Sequence, residues 1–259
     1  MPEISEVRIM SDFINDKSHS KKFDKAFHVA KGNIPSMFIN NDFTVNSSSR
    51  GKELYLNLGN TLIYVFMGMN GNWKYVSTQD WNTTKYVRLR LDDTTGHSLI
   101  LYGGYMGPKY SVNRPFTGTK RGPDPVKDFD NFKKNITQNI SRPTFTKNLC
   151  EVLLNQEYFN GIGAYLTSEI IGRSGLNPFL NFNSLTKNEI DNLLDLVNVC
   201  CKESYKFGGG ELRDWHNPFE KSRIDEWLEF YGNKINCHKH KFGSRNIWIP
   251  NKFKKEKSQ

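Results

Sequence analysis

Apolar residues recur every three to four positions near the start of the chain, at Val7, Met10, Phe13 and Ile14. This spacing places their side chains on one face of a helix. The sequence therefore predicts an N-terminal helix that begins within the first few residues.

Apolar residues then recur at every second position, which is typical of half-buried strands. Residues 54–58 alternate leucine with other side chains, Gly59-Asn60 forms a two-residue turn, and residues 62–67 return as a second strand. Residues 86–91 and 98–102 give a further antiparallel pair. The first part of the chain is predicted to be an antiparallel β-sandwich that carries one helix.

The next segment is rich in proline, glycine, lysine and arginine, and this composition indicates a linker. Helical spacing of the apolar residues begins after it. Thr186 and Glu189 form a capping-box pattern, and residues 230–250 alternate as in a hairpin. The predicted fold class is α+β, an N-terminal antiparallel β-sandwich with a helix, then a helical C-terminal domain ending in a β-hairpin. The predicted segments follow one another along the chain. They are the sandwich at residues 1–108, the linker at 109–125, the helical domain at 126–232, the hairpin at 233–250 and a disordered basic tail at 251–259.

The formal net charge of +9 over 259 residues favours a polyanionic partner. The sequence contains no run of about 18 apolar residues and no signal-peptide pattern, so neither membrane insertion nor secretion is expected. The cysteines lack the spacing of a disulfide framework. We therefore expect reduced thiols and a location in the nucleus or cytoplasm.

The first residues suggest covalent chemistry. A small residue after Met1 normally allows the initiator methionine to be removed, which leaves the secondary amine of Pro2 at the N-terminus. An α-amino group has a pKa of about 7.7–8.0, so a useful fraction is neutral near pH 7 and can form a Schiff base. Glu3 and Glu6 follow on one helical face. The alternative is that both glutamates only complement the helix dipole.

Four other patterns are candidates for contacts with phosphate or bases. Gly161-Ile162-Gly163 lies between two helical patterns, where backbone N–H groups can bind phosphate. Lys52 precedes a strand, Met69 lies on a glycine-flanked turn as a candidate wedge, and Arg245 lies near the hairpin tip. The alternatives are a simple helix–helix turn, a packed methionine, and lysine and arginine side chains in solvent.

Cys237, His238 and His240 are residue types that bind zinc. A structural zinc site needs four ligands, usually in two spaced pairs, and the chain beyond His240 offers only Glu256. We therefore expect neither a metal nor another cofactor.

Taken in this order, the motifs resemble the formamidopyrimidine-DNA glycosylase and endonuclease VIII (Fpg/Nei) family of DNA repair enzymes. Each motif alone is weak, whereas the collinear set is specific and covers nearly the whole chain. The matching motifs are Met-Pro-Glu at 1–3, Arg-Gly-Lys at 50–52, Gly-Met-x-Gly at 68–71, Gly-Pro-Asp-Pro at 122–125, the helix-two-turn-helix sequence LLNQEYFNGIGAYLTSEI at 153–170, Leu212-Arg213-Asp214, and the final hairpin with Arg245.

The resemblance implies a role for each matching residue. Pro2 would attack C1′ of the damaged nucleotide, Glu3 would act as general acid and base, and Glu6 would support the active-site network. Lys52 would contact a phosphate beside the lesion, and Met69 would fill the space left by the everted nucleotide. The remaining implied DNA contacts are Gln156, Gly161, Gly163, Tyr165 and Arg245.

The chain departs from the family pattern at three places. Ala164 stands where the family usually has an asparagine that contacts phosphate. Residues 102–107 lack the arginine with which the family's wedge segment pairs the orphaned base. The zinc-finger cysteines are missing, as in the zincless-finger branch of the Nei-like enzymes, to which residues 160–166 are also similar.

The resemblance predicts a monomeric bifunctional DNA glycosylase and AP lyase that removes oxidised bases, pyrimidines in particular, by β,δ-elimination. The expected partner is damaged DNA, with double-stranded, single-stranded and abasic forms left open. One alternative is a non-catalytic DNA-binding protein that retains the same scaffold. A second alternative is a zinc-binding nucleic-acid module.

Overall fold

The computed structural model describes residues 1–117, 120–210 and 215–254. The Leu212-Arg213-Asp214 motif and residues 255–259 of the predicted tail lie outside the described residues. The helices are α1 Ile4–Ser18, α2 Phe129–Thr137, α3 Leu149–Leu153, α4 Ala164–Ser174, α5 Lys187–Lys206 and α6 Ile224–Trp227. The strands are β1 Phe23–Ala30, β2 Ile34–Phe43, β3 Asn46–Arg50, β4 Glu53–Leu58, β5 Thr61–Phe66, β6 Asn72–Ser77, β7 Val87–Asp93, β8 His97–Tyr102, β9 Lys109–Val112, β10 Cys237–Phe242 and β11 Arg245–Pro250.

The chain forms two compact units. The first comprises Met1–Gly118 with Gly208–Ser222, and the second comprises Thr119–Phe207 with Arg223–Gln259. Three predicted segments differ from this arrangement. Residues 208–222, which fall within the predicted helical domain, lie in the first unit. The predicted linker begins with β9, because that segment pairs along β5, and the predicted tail begins with a 3-10 turn at Asn251–Phe253.

The first unit confirms the predicted antiparallel sheets with an N-terminal helix. Its five-stranded sheet has the order β2-β1-β7-β8-β6, and its four-stranded sheet has the order β3-β4-β5-β9. The leucines that alternate along β4 are buried, as are the four apolar residues that predicted α1. Helix α1 packs against β3 and β4 of one sheet and β6 of the other, so the core of this unit lies around the helix.

The second unit contains the predicted helices and the predicted hairpin. Helix α5 begins at a capping box in which the Thr186 side chain accepts the N–H of Glu189. The hairpin pairs β10 with β11, and the Trp248 N–H donates to the Ser168 hydroxyl on α4 at 3.0 Å. The hairpin is therefore attached to the helix that follows the two-glycine segment.

All four cysteines are buried free thiols. No helix in the described ranges has the length and apolar character needed to cross a bilayer.

Candidate active site

The residues that follow Met1 are buried at the start of α1. Glu3 is the N-cap residue of this helix, and its backbone N–H donates to the Glu6 carboxylate at 2.5 Å. Pro2 is also buried. The capping arrangement fixes the backbone that places Pro2 and the Glu3 side chain next to each other.

Glu6 also holds a distant segment of the chain. Its other carboxylate oxygen accepts the Gly210 N–H at 2.6 Å, across 204 positions of sequence. The carboxylate is fully buried, so these backbone donors replace the water that an ionised group needs. Glu6 therefore joins the N-terminal backbone to the Gly208–Gly210 segment, a contact for which the sequence gives no local signal.

Gly209→Ala is expected to destabilise the first unit more than the matched change Gly59→Ala. Both glycines have positive φ, +72° and +66°, so alanine costs about 1–2 kcal/mol at either position. A Cβ at Gly209 would also lie 2.8 Å from Oε1 of the buried Glu6, whereas one at Gly59 would meet nothing within 4 Å. Denaturant midpoints would measure the difference. Equal losses of stability in the two variants would show that the close contact with Glu6 adds no cost to the substitution at Gly209.

Lys52 lies at the same end of the first unit as Pro2. Ser47 at the start of β3 bonds to Ser11 and Asn15 of α1, and Ser18 of α1 bonds to the Val45 carbonyl before the strand, so the strand runs antiparallel to the helix. From Ser47 to the end of β3 at Arg50 is about 10 Å at strand rise, and from Ser11 back to Ile4 is about 10 Å at helix rise, so Lys52 in the turn after β3 lies near the start of α1. Lys52 is only 7% exposed, unlike a lysine in solvent.

Met69 lies on loop 67–71, which is next to the turn between β3 and β4. The register pairs Glu53 with Phe66 and Phe66 with Lys109. The β3–β4 turn, loop 67–71 and the segment before β9 therefore meet at one end of the four-stranded sheet. Met69 is half-buried there. The structure thus brings Pro2, Glu3, Lys52 and Met69 to one end of the first unit.

In the second unit, Gln156 lies in the turn between α3 and α4, and its side chain organises that turn. Its amide nitrogen donates to the carbonyls of Leu154 at 3.0 Å and Ile162 at 2.8 Å. Its amide oxygen accepts the Gly161 N–H at 3.1 Å. The Gly161 N–H is therefore bonded within the loop, its φ of +105° explains the glycine, and its phosphate contact stays a prediction.

Gly163 and Tyr165 have different surroundings. Gly163 is the N-cap of α4, where backbone amides begin the helix, and Ala164 is half-exposed as its first residue. The Tyr165 side chain is 1% exposed, with its ring centroid 6.2 Å from that of Tyr231. The Tyr165 ring is therefore packed inside the second unit, and its role as a DNA contact stays a prediction.

Arg245 is exposed at the first position of β11, directly after the turn that contains Gly243 at φ +55°. Cys237, at the start of β10, is buried, and this burial raises the pKa of its thiol. A thiol with a raised pKa is a poor metal ligand, because metals bind the thiolate. Among the described residues, no group of three or more histidine, cysteine or acidic side chains could hold a metal.

Sequence reasoning missed Glu169, a fully buried carboxylate on α4. It accepts the backbone N–H groups of Glu229, Phe230 and Tyr231 at 2.8–3.1 Å and pairs with Arg173 at 3.3 Å. These bonds order the segment that leads to the hairpin. Only the helical spacing of Glu169 and Arg173 could have suggested the pair, and nothing local indicates the three amides.

Comparisons with known proteins show which sequences and structures this chain is similar to. A profile described as the formamidopyrimidine-DNA glycosylase N-terminal domain matches residues 1–103. Endonuclease 8-like 1 of Homo sapiens is 26% identical over 96% of this chain and 72% of its own length. Endonuclease 8 of Escherichia coli (strain K12 / DH10B) is 26% identical over 81% of each chain.

The fold is also that of a solved Fpg structure. The structure of Lactococcus lactis Fpg in complex with an abasic site containing DNA superposes with a TM-score of 0.82 at 19% identity, over 98% of this chain and 100% of that chain. The profile match to the N-terminal part, the similarity to endonuclease 8-like 1 and the shared fold together support the resemblance of this chain to the formamidopyrimidine-DNA glycosylase and endonuclease VIII family.

Proposed function

We propose that this protein removes oxidised bases, pyrimidines in particular, through a Schiff base on Pro2 and cleaves the strand by β,δ-elimination. The observation that carries the proposal is the arrangement at one end of the first unit. There Pro2 and the buried Glu3 are held by the Glu6 carboxylate, and Lys52 and Met69 lie at the same end.

The chemistry begins when the free Pro2 nitrogen attacks C1′ of the damaged nucleotide. The C1′–N glycosidic bond breaks, the base leaves with a proton from an acid, and the sugar opens to an iminium on Pro2. Glu3 is the proposed general acid and base for these proton transfers. The iminium acidifies the C2′ proton, so its removal expels the 3′ phosphate, and a second elimination expels the 5′ phosphate before water releases the amine.

Access to C1′ requires the damaged nucleotide to leave the duplex, which costs a few kcal/mol of lost stacking and pairing. Met69 would occupy the vacated space, and Lys52 would hold the phosphate beside the lesion. In the second unit, Gly163 at the helix N-terminus and the exposed Arg245 would bind the backbone. Residues 126–232 would be the helix-two-turn-helix domain, and residues 233–250 the zincless-finger hairpin, with Gln156 and Gly161 shaping the turn.

Borohydride trapping on abasic-site DNA tests the proposal. We expect a covalent adduct, and mass spectrometry of its peptides should place the link on Pro2. A link on a lysine would refute the Pro2 mechanism. Salt-sensitive DNA binding without any adduct would favour the non-catalytic alternative, and a panel of lesion-bearing oligonucleotides would test the preference for pyrimidines.

Ala164→Asn is expected to tighten DNA binding for all sequences. Ala164 is the first residue of α4 and is half-exposed, so an asparagine amide there could donate to a phosphate. A hydrogen bond to a charged group contributes about 1.5–3 kcal/mol. Fluorescence anisotropy with an uncleavable abasic analogue would measure the gain in affinity.

Ala164→Asp is the matched control, because aspartate has the same shape and favours a helix N-terminus but repels phosphate. If Asn and Asp raise the affinity equally, the gain comes from helix stability and not from a phosphate contact. An unchanged affinity in the Asn variant would show that the phosphate is held in another way.

A further inference from the structure

The segment Gly208–Ser222 belongs to the first unit, although it follows the helices of the second unit in sequence. It contacts one face of α1, because the helix residues that it meets are spaced by four and then three positions. The contacts are the Gly210 N–H to the Glu6 carboxylate at 2.6 Å, the Trp215 indole N–H to the Met10 sulfur at 3.4 Å, and the Phe219 ring edge-on to that of Phe13 with 5.4 Å between centroids. The segment is therefore fixed to the helix that begins beside Pro2 and Glu3.

Asn72 joins this segment to the loop that carries Met69. Its amide nitrogen donates to the His216 carbonyl at 2.9 Å, across 144 positions of sequence, and its amide oxygen accepts the Trp73 N–H at 2.9 Å. Asn72 is only 5% exposed, so water competes little for either bond. One buried side chain thus bonds the start of β6 to a segment that is itself bonded to α1.

Loop 67–71 couples the position of Asn72 to that of Met69. The Gly71 N–H donates to the Met67 carbonyl at 2.8 Å, which closes the loop into a turn directly before Asn72. A Cβ on Gly71 would lie 2.3 Å from the same carbonyl oxygen, so the backbone is closer there than any residue but glycine permits. A shift of Asn72 would therefore carry the closed turn, and Met69 with it.

We propose that Asn72 is a positioning residue for nucleotide eversion, because it holds loop 67–71 at a fixed place relative to α1. The bond to His216 acts through the neighbouring Trp215, whose indole is bonded to the helix. This inference rests on the proposed function, in which Met69 fills the vacated space while Pro2 attacks the everted nucleotide. Both steps need one geometry, and a displacement of about 1 Å at a distant residue can slow an enzyme on the order of a hundredfold.

Asn217 offers a matched control, because it makes the same two kinds of bond within the segment. Its amide nitrogen donates to the Gly208 carbonyl at 2.9 Å, its oxygen accepts the Phe219 N–H at 2.8 Å, and it is also 5% exposed. An aspartate at either position keeps the shape and the accepting oxygen but replaces the donor with an oxygen that repels the carbonyl. Asn72→Asp and Asn217→Asp should therefore lower the unfolding midpoint by similar amounts, whereas only Asn72→Asp breaks the bond to the Met69 loop.

The test measures single-turnover cleavage at one abasic site in a paired duplex and at the same site inside a bubble of mismatched bases. Asn72→Asp should slow cleavage of the paired duplex on the order of ten- to a hundredfold. It should leave cleavage in the bubble unchanged, because the stacking and pairing that oppose eversion are already lost there. A 2-aminopurine beside the abasic site brightens when it is unstacked, and this signal should slow by the same factor as cleavage of the paired duplex. Asn217→Asp should match the wild type in all three measurements.

Asn72→Ala removes the donor without burying a charge, so it replaces Asn72→Asp if that variant does not fold, and the same results are expected. Equal slowing on the paired duplex and the bubble would show a purely structural role for Asn72 and overturn the inference. Wild-type rates on both substrates, or the same selective slowing by Asn217→Asp, would also overturn it while the wild-type adduct on Pro2 still upheld the proposed function. The absence of any adduct from the wild-type protein would refute the proposed function and this inference with it.

Discussion

Protein that retains Met1 or carries an N-terminal acetyl group is expected to form no borohydride-trapped adduct with abasic-site DNA. In both forms the Pro2 nitrogen is part of an amide, whose lone pair is delocalised into the carbonyl and cannot attack C1′. Pro2 is buried next to Glu3 at the start of α1. Intact-mass analysis of each preparation would establish the N-terminus, and the trapped fraction should follow the fraction of chains that begin at Pro2.

Pro2→Gly is expected to weaken trapping without abolishing it. A primary amine still forms a Schiff base, but it loses the ring that fixes the nitrogen beside the sugar. A tenfold slower reaction corresponds to about 1.4 kcal/mol in the barrier. Pro115→Gly, in an exposed loop of the same unit, is the matched control and should not alter trapping. Efficient trapping by a protein with a blocked N-terminus would exclude Pro2 as the nucleophile.

Much of the fold could be predicted from local sequence. The Thr186–Glu189 capping box, the Gly59-Asn60 turn and the alternation along β4 each depend on residues within a few positions of one another. Strand β2 was not predicted, because as an exposed edge strand it lacks an alternating apolar face. Strand β9 was also missed, because its pairing with β5 decides its conformation and its flanking proline and glycine residues suggest a loop.

The candidate site was predicted less completely than the fold. Motif order could indicate Pro2, Glu3, Lys52 and Met69, but not the contact between Glu6 and Gly210 across 204 positions. Gln156 illustrates a second limit, since the sequence pattern could not show that its side chain holds the turn around Gly161. Long-range hydrogen bonds of this kind depend on how distant segments pack, and no local period records them.

Glu3→Gln is expected to lose base excision while retaining part of the strand cleavage at preformed abasic sites. Glutamine cannot give a proton to a departing base, and a positioned general acid or base contributes about 10²–10⁴-fold to the rate. At a preformed abasic site the base has already left, so Pro2 can still form the iminium and water can remove the C2′ proton slowly. Single-turnover assays on a lesion duplex and an abasic duplex of the same sequence would measure the two steps separately.

Glu6→Gln is the control that distinguishes a loss of proton transfer from a loss of the hydrogen bonds that position the N-terminal backbone. At Glu3 an amide oxygen can still cap α1, so Glu3→Gln should keep the stability of the first unit. At Glu6 both oxygens accept backbone N–H groups, and one would be replaced by an NH2 group that faces a donor. Leaving such a buried donor without an acceptor costs about 1–3 kcal/mol, so Glu6→Gln should lower the unfolding midpoint and weaken both reactions together. Base excision by Glu3→Gln at the wild-type rate would remove Glu3 from the mechanism, whatever the behaviour of the Glu6 variant.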